Sequence, residues 1–277
     1  MNDYPHFKTP PLAEVAISIQ FEPLQNLHAA HYGLLWREFR GSYPKTQEHP
    51  PLPPVTENFG VHGPFPQGIN LSFGLASLMP RCWFLNEDET QLIQIQQDRF
   101  IHNWRKREDG AGATYPRYRV LRESFRAELG TFFRFLEREG LGPPKPNQCE
   151  LVYVNQISLA PADLADHGDF AKVVTAWHDL EDPLLSRPEN VGINARYVMK
   201  DQSGGPIGRL HVTFSPLFIQ GQNEPAYQAQ FLGRGAPLGE GLEGVLEFLD
   251  KAHEYAIRGF LSMTSPGLQQ IWGIYRA

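Results

Sequence analysis

The chain has 277 residues, of which 41% are hydrophobic, 12% aromatic and 20% charged, and its formal charge is −6. That apolar content supports a packed core and excludes a disordered chain, while the acidic balance excludes a sequence-independent hold on DNA through a broad basic face. No window reaches the ~18 consecutive apolar residues of a membrane span, and the opening Met1-Asn2-Asp3-Tyr4-Pro5-His6 lacks the basic patch and apolar run of a secretory signal, so a cytoplasmic location is expected.

Ala13 to Phe21 alternates with a period of two, and Val15, Ile17, Ile19 and Phe21 share one face, which predicts a half-buried strand. His28 to Arg40 carries Tyr32, Leu35, Trp36 and Phe39 at three- and four-residue spacing, the mark of an amphipathic helix ending at Gly41. From His49 to Gln67, Pro50, Pro51, Pro53, Pro54, Pro64 and Pro66 remove N–H groups that a helix or a central strand needs. A surface loop of polyproline II or irregular form is predicted there. Arg81 to Asn86, Gln91 to Gln96 and Arg99 to Arg105 read as strands joined by the polar turns Glu87-Asp88-Glu89 and Gln97-Asp98. Val120 to Glu139 is a long helix with Leu121, Phe125, Leu129, Phe132, Phe133 and Leu136 inward, stopped by Gly140.

The Gly- and Pro-rich stretch from Gly140 to Asn147 separates a first half, 1–142, from a second, 143–277, that repeats the order of elements. Glu150 to Ile157 is a strand, Phe170 to His178 a short helix, and Gly192 to Met199, Gly208 to Phe218 and Tyr227 to Leu232 are strands. Leu242 to Met263 is the closing helix, with Leu242, Val245, Leu246, Leu249, Ala256 and Phe260 inward. The expected fold is α+β: two pseudo-related halves forming one compact unit, with antiparallel sheets packed against two long helices. Cys82 and Cys149 match no zinc or redox spacing and are expected to be buried free thiols.

Four strings carry a family resemblance. They are Pro11-Leu12-Ala13-Glu14-Val15, the run from Gln94 to Arg105 (QIQQDRFIHNWR), Tyr115-Pro116-Arg117-Tyr118, and Tyr153-Val154-Asn155-Gln156-Ile157. In combination, and nearly end to end, the chain resembles a sporadically distributed bacterial family of uncharacterised proteins of about this length. The resemblance implies a bacterial cytoplasmic protein from an accessory, defence or toxin-antitoxin setting, and it brings no activity, cofactor or catalytic residue.

The richest polar stretch is the hairpin from Gln91 to Arg107. Gln94 and Gln96 point opposite to Ile93 and Ile95, and Arg99, Asn103, Trp104 and Arg105 follow on the next strand. Amides beside guanidinium groups suit a polar or anionic ligand; alternatively they complete backbone hydrogen bonds while Trp104 fills the core. Tyr115, Arg117 and Tyr118, at the mouth of the long helix, combine aromatic faces with cations, or else simply start the helix. Tyr153 and Asn155 share one strand face, and pseudo-symmetry would bring that face and the Gln94/Gln96 face into one cleft.

His28 and His31 lie one helical turn apart without a third ligand, and His253 beside Glu254 reads as a surface pair. No nucleophile elbow, phosphate loop, Rossmann or kinase signature occurs, and no cofactor or metal is implied. The expected function is therefore non-enzymatic binding of a small molecule, peptide or protein partner, with no membrane and no favoured nucleic-acid role. The oligomeric state is left open. Two rivals stand beside it: a hydrolase or transferase with dispersed His102, Tyr153, Asn155 and His178, and a single-stranded nucleic-acid binder using Trp104, Tyr115, Arg117 and Tyr118.

Overall fold

A computed structural model describes residues 4–59, 79–107, 114–162, 164–185, 187–219, 221 and 223–275. In chain order the elements are β1 (His6–Phe7), β2 (Leu12–Phe21), α1 (Ala29–Phe39), β3 (Lys45–His49), β4 (Arg81–Leu85), β5 (Gln91–Gln96), β6 (Arg99–Arg105), α2 (Tyr118–Arg138), β7 (Pro146–Ser158), α3 (Phe170–Val173), β8 (Ile193–Lys200), β9 (Pro206–Ile219), β10 (Glu224–Gly235), α4 (Gly241–Met263), α5 (Pro266–Ile271) and β11 (Ile274–Tyr275). Strands β1 and β11 pair with each other; the other nine form one antiparallel sheet in the order β3-β4-β5-β6-β2-β7-β10-β9-β8. The fold is mixed α and β with antiparallel pairing. Among the described residues no helix is long and apolar enough to cross a membrane.

Because strand side chains alternate, each strand sends its apolar phase to one side of the sheet and its polar phase to the other. Val15, Ile17, Ile19 and Phe21 of β2 face the helices together with Phe100 and Trp104 of β6, Leu151 of β7 and Phe231 of β10, all buried in one core. The stripe of α2 that meets them contains Leu121, Phe125, Leu129, Phe132, Phe135 and Leu136, and Phe132 stacks on Phe100 with ring centroids 5.3 Å apart. Phe133, expected inward, is only partly buried, and Phe135 takes its place; at 3.6 residues per turn, 132, 135 and 136 share the face that 133 leaves. Helix α4 sits close over β10, where a Cβ on Gly233 would stand 2.6 Å from that of Ala252. Side by side, α2 and α4 exchange the ion pairs Arg122–Asp250 and Arg126–Glu243, whose order along the two helices is that of an antiparallel pair.

The short elements β1, α5 and β11 were not expected from the sequence, and two further elements differ for reasons that the structure shows. Lys45–His49 is an edge strand on β4, although its run of polar residues carries no apolar alternation. The helix expected over Phe170 to His178 stops at Val173, because Val174 forms a bridge with Thr264 and the β-branched run Val173-Val174-Thr175 favours extended backbone. Both cysteines are free and buried. They lie on β4 and β7, four strand spacings or about 19 Å apart, well beyond disulfide reach.

Candidate ligand-binding face

The register separates the candidate residues into two groups on opposite faces of the sheet. Tyr153 pairs with Val15, which pairs with Trp104, on the helix side. Glu150, an odd number of positions away, pairs with Ser18, then Ile101, then Gln94. The single cleft expected from Tyr153/Asn155 and Gln94/Gln96 does not exist, because strand parity puts the two pairs on different sides.

On the helix side several of these side chains pair with one another. The Tyr153 hydroxyl lies 2.7 Å from His253 Nδ1, the Tyr118 ring stacks on the His253 imidazole at 4.0 Å, and the Tyr118 hydroxyl donates to Asp250 at 2.8 Å. Burial lowers the His253 pKa to about 4, against the pull of Asp250 and Glu254. At neutral pH the imidazole is therefore uncharged and hydrogen-bonded to the Tyr153 hydroxyl, and His253 is no surface pair with Glu254. Trp104 is buried beside Tyr115, centroids 5.1 Å apart. Arg117, at the N-cap of α2, holds φ +78 and ψ 150, backbone that L side chains rarely adopt. Asn155 donates to the Ala229 carbonyl at 3.2 Å.

The dispersed catalytic set does not assemble. His102 is fully buried with Nδ1 2.7 Å from Glu128, whose other oxygen accepts the Tyr43 hydroxyl. His178 is exposed. At the start of α1, His31 Nδ1 accepts the His28 backbone N–H at 3.0 Å.

On the other face, Gln94 accepts from Arg81 at 2.8 Å and donates to Asn103 at 2.7 Å; Asn103 in turn donates to Glu14 at 2.5 Å. Burial raises the Glu14 carboxyl in spite of Asn103 and Arg105. Arg105 donates to the Glu89 carbonyl at 2.9 Å. These residues form an internal network.

Gln96 and Arg99 do something different, because they meet the chain's own residues 52–59, which cross the polar face over successive strands. Gln96 of β5 accepts the Leu52 N–H and donates to the Leu52 carbonyl, both at 2.9 Å. Arg99 of β6 donates to the Pro53 carbonyl at 3.0 Å and to Gln20 at 2.7 Å. Gln20 of β2 accepts the Val55 N–H at 2.7 Å and donates to its carbonyl at 3.0 Å. Gln148 of β7 accepts the Glu57 N–H at 3.3 Å. Arg209 of β9 donates to the Asn58 carbonyl at 2.8 Å and lies 4.5 Å from the centroid of the Phe59 ring. Leu52, Val55 and Glu57 are half-buried, whereas Pro53, Pro54, Thr56 and Asn58 are exposed.

The spacing has a physical cause. Backbone contacts fall at 52, 53, 55, 57 and 58, and the two residues held through both N–H and C=O, Leu52 and Val55, stand three apart, the period of polyproline II. Five residues of that helix rise ~15.5 Å, close to the ~14.4 Å of the three strand spacings from β5 to β7. Prolines occupy 53 and 54, where no N–H is required, and hold the residue before each of them in extended backbone.

The carboxylate of Glu57 closes this arrangement. It lies 2.5 Å from both Arg209 and His211 and 3.6 Å from Arg234, which also binds Glu150. Its burial alone would raise the carboxyl, but hydrogen bonds from His211 and Arg209, with the charge of Arg234, hold it at about 2.

Of the residues that hold the segment, sequence reasoning singled out Gln96 and Arg99 and missed Gln20, Gln148, Arg209, His211 and Arg234. The available signal was the polar phase of β2 and β9, in which Gln20 alternates with Ile19 and Phe21, and Arg209 and His211 with Leu210 and Val212. The expected proline-rich loop from His49 to Gln67 is this segment in its part up to residue 59; positions 60–67 lie outside the described residues. No protein-family model and no curated protein matches the chain.

Proposed function

We propose that the protein is a non-enzymatic binding protein that holds an extended polypeptide segment on the polar face of its sheet. The observation that carries this reading is the double hydrogen bonding of Leu52 by Gln96 and of Val55 by Gln20. A side-chain amide that engages both N–H and C=O of one residue recognises extended backbone whatever the side chain, a mode suited to peptides and poorly suited to small metabolites.

The halves contribute jointly. From the centre of the sheet outward, β2-β6-β5-β4 and β7-β10-β9-β8 have corresponding places in sequence order, and we propose that they are pseudo-related repeats, each ending in its own long helix. Gln96, Arg99 and Gln20 then come from one repeat, and Gln148, Arg209, His211 and Arg234 from the other. The family resemblance adds a bacterial, cytoplasmic setting of accessory, defence or toxin-antitoxin type to the proposal.

Photo-cross-linking in cells tests the reading. Ser215 is exposed on the polar phase of β9, and Leu184 is exposed on a loop. A photoreactive residue at 215 should form a polypeptide adduct that one at 184 does not. No adduct at 215, or the same adducts at both positions, would contradict it.

A further inference from the structure

The contacts that hold residues 52–58 are those of a ligand rather than those of a core. Every polar contact from the sheet reaches backbone or the Glu57 carboxylate, and the exposed side chains of Pro53, Pro54 and Thr56 face away from it. The segment lies far in sequence from the residues that grip it: Gln148 is 91 positions from Glu57, and His211 is 154. Glu57 is held between Arg209 and His211, with Arg234, which also binds Glu150, 3.6 Å away, and its side chain is 7% exposed. Arg99, 4% exposed, keeps an Nε–H without a partner among the described residues, so the face retains hydrogen-bonding capacity that the segment leaves unused.

We propose that this face is a polyproline-II peptide site with a carboxylate anchor, and that residues 52–58 occupy it in cis as a stand-in for a ligand supplied in trans. The ligand class is a proline-containing segment of another polypeptide, with free N–H groups three residues apart to meet Gln96 and Gln20 and a glutamate two residues after the second. The Arg209, His211 and Arg234 pocket selects that glutamate, and the glutamine pairs select the backbone. Since the cis segment is tethered to the sheet, it competes at an effective concentration of ~mM, and a trans peptide binds measurably only as the cis segment gives way. This inference rests on the peptide-binding reading above and narrows it to one ligand chemistry and one competitor.

The test uses the full chain and a fluorescein-labelled synthetic peptide with the sequence of Pro50 to Phe59. Two variants release the cis segment through residues outside the sheet: the double substitution Leu52→Pro with Val55→Pro, which removes both N–H donors, and Glu57→Ala, which removes the anchor. Circular dichroism melts identify the variants that remain folded, and either one suffices. In fluorescence anisotropy the released variants should bind the peptide at least tenfold more tightly than the wild type. A peptide with alanine in place of the glutamate should lose at least tenfold, and Arg209→Ala added to Glu57→Ala should do the same. Folded released variants that bind no better than the wild type, or an alanine peptide that binds as well as the glutamate peptide, would overturn the inference. If cross-linking at Ser215 persists in that case, the binding reading survives and only the ligand chemistry and the cis competition fall.

Discussion

Gln94 and Gln96 stand two positions apart on the same face of β5 and have different partners. Gln94 bridges Arg81 and Asn103 inside the network, so Gln94→Ala strands buried donors and acceptors and should cost about 1–3 kcal/mol in a denaturant melt. An unchanged midpoint would place Gln94 among the displayed residues instead. Sequence alternation revealed the face of each glutamine but could not reveal what lay across it, because the partner of Gln96, Leu52, is 44 positions away. The same distance problem hid the Glu57 pocket, in which each basic residue on β9 and β10 looks like any polar residue on a solvated strand.

His253 gives a second residue-level prediction. Its folded pKa of about 4 lies below the ordinary 6.5, so the unfolded chain takes up a proton at a higher pH than the folded one does. The neutral imidazole therefore contributes fully above about pH 6.5, and its contribution is lost as the pH falls from there to about 4, a change on the order of 3 kcal/mol. Melting temperature should fall more steeply over that window in the wild type than in His253→Leu. Parallel curves would mean that His253 is not buried against Tyr153 and Tyr118.

At the scale of elements, α2 was legible almost to its ends. Periodicity gave residues 120–139 against the observed Tyr118–Arg138, because a long apolar stripe at helical spacing has no strand interpretation. The stripe's edge was less legible: Phe133 lies about 100° round the helix from Phe132, at the margin of the stripe, and tertiary packing selected Phe132 with Phe135. Leu129→Ala should cost about 2–5 kcal/mol, and Phe135→Ala should cost more than Phe133→Ala. Equal losses at 133 and 135, read from thermal melts, would rotate the helix away from its assigned face. The edge strand Lys45–His49 was hidden because charged and polar edges, which discourage pairing between molecules, remove the alternation that marks a strand.

At the scale of the whole molecule, the β2–β7 pair makes one sheet from segments on either side of the Gly140 to Asn147 link, and so creates a polar face wide enough for a segment to cross from β5 to β9. The alternating strands were readable, but their order in the sheet was not, since pairing between β2 and β7 depends on contacts more than a hundred residues apart. The prolines of this stretch anticipated a loop of polyproline II or irregular form; only the continuous sheet explains where it binds. Amide hydrogen exchange at Val55 in the full chain reads out whether this face grips extended backbone. Exchange should be at least roughly tenfold slower than in the free peptide, with protection lost in Gln20→Ala. Exchange at the free-peptide rate in the wild type would contradict that grip.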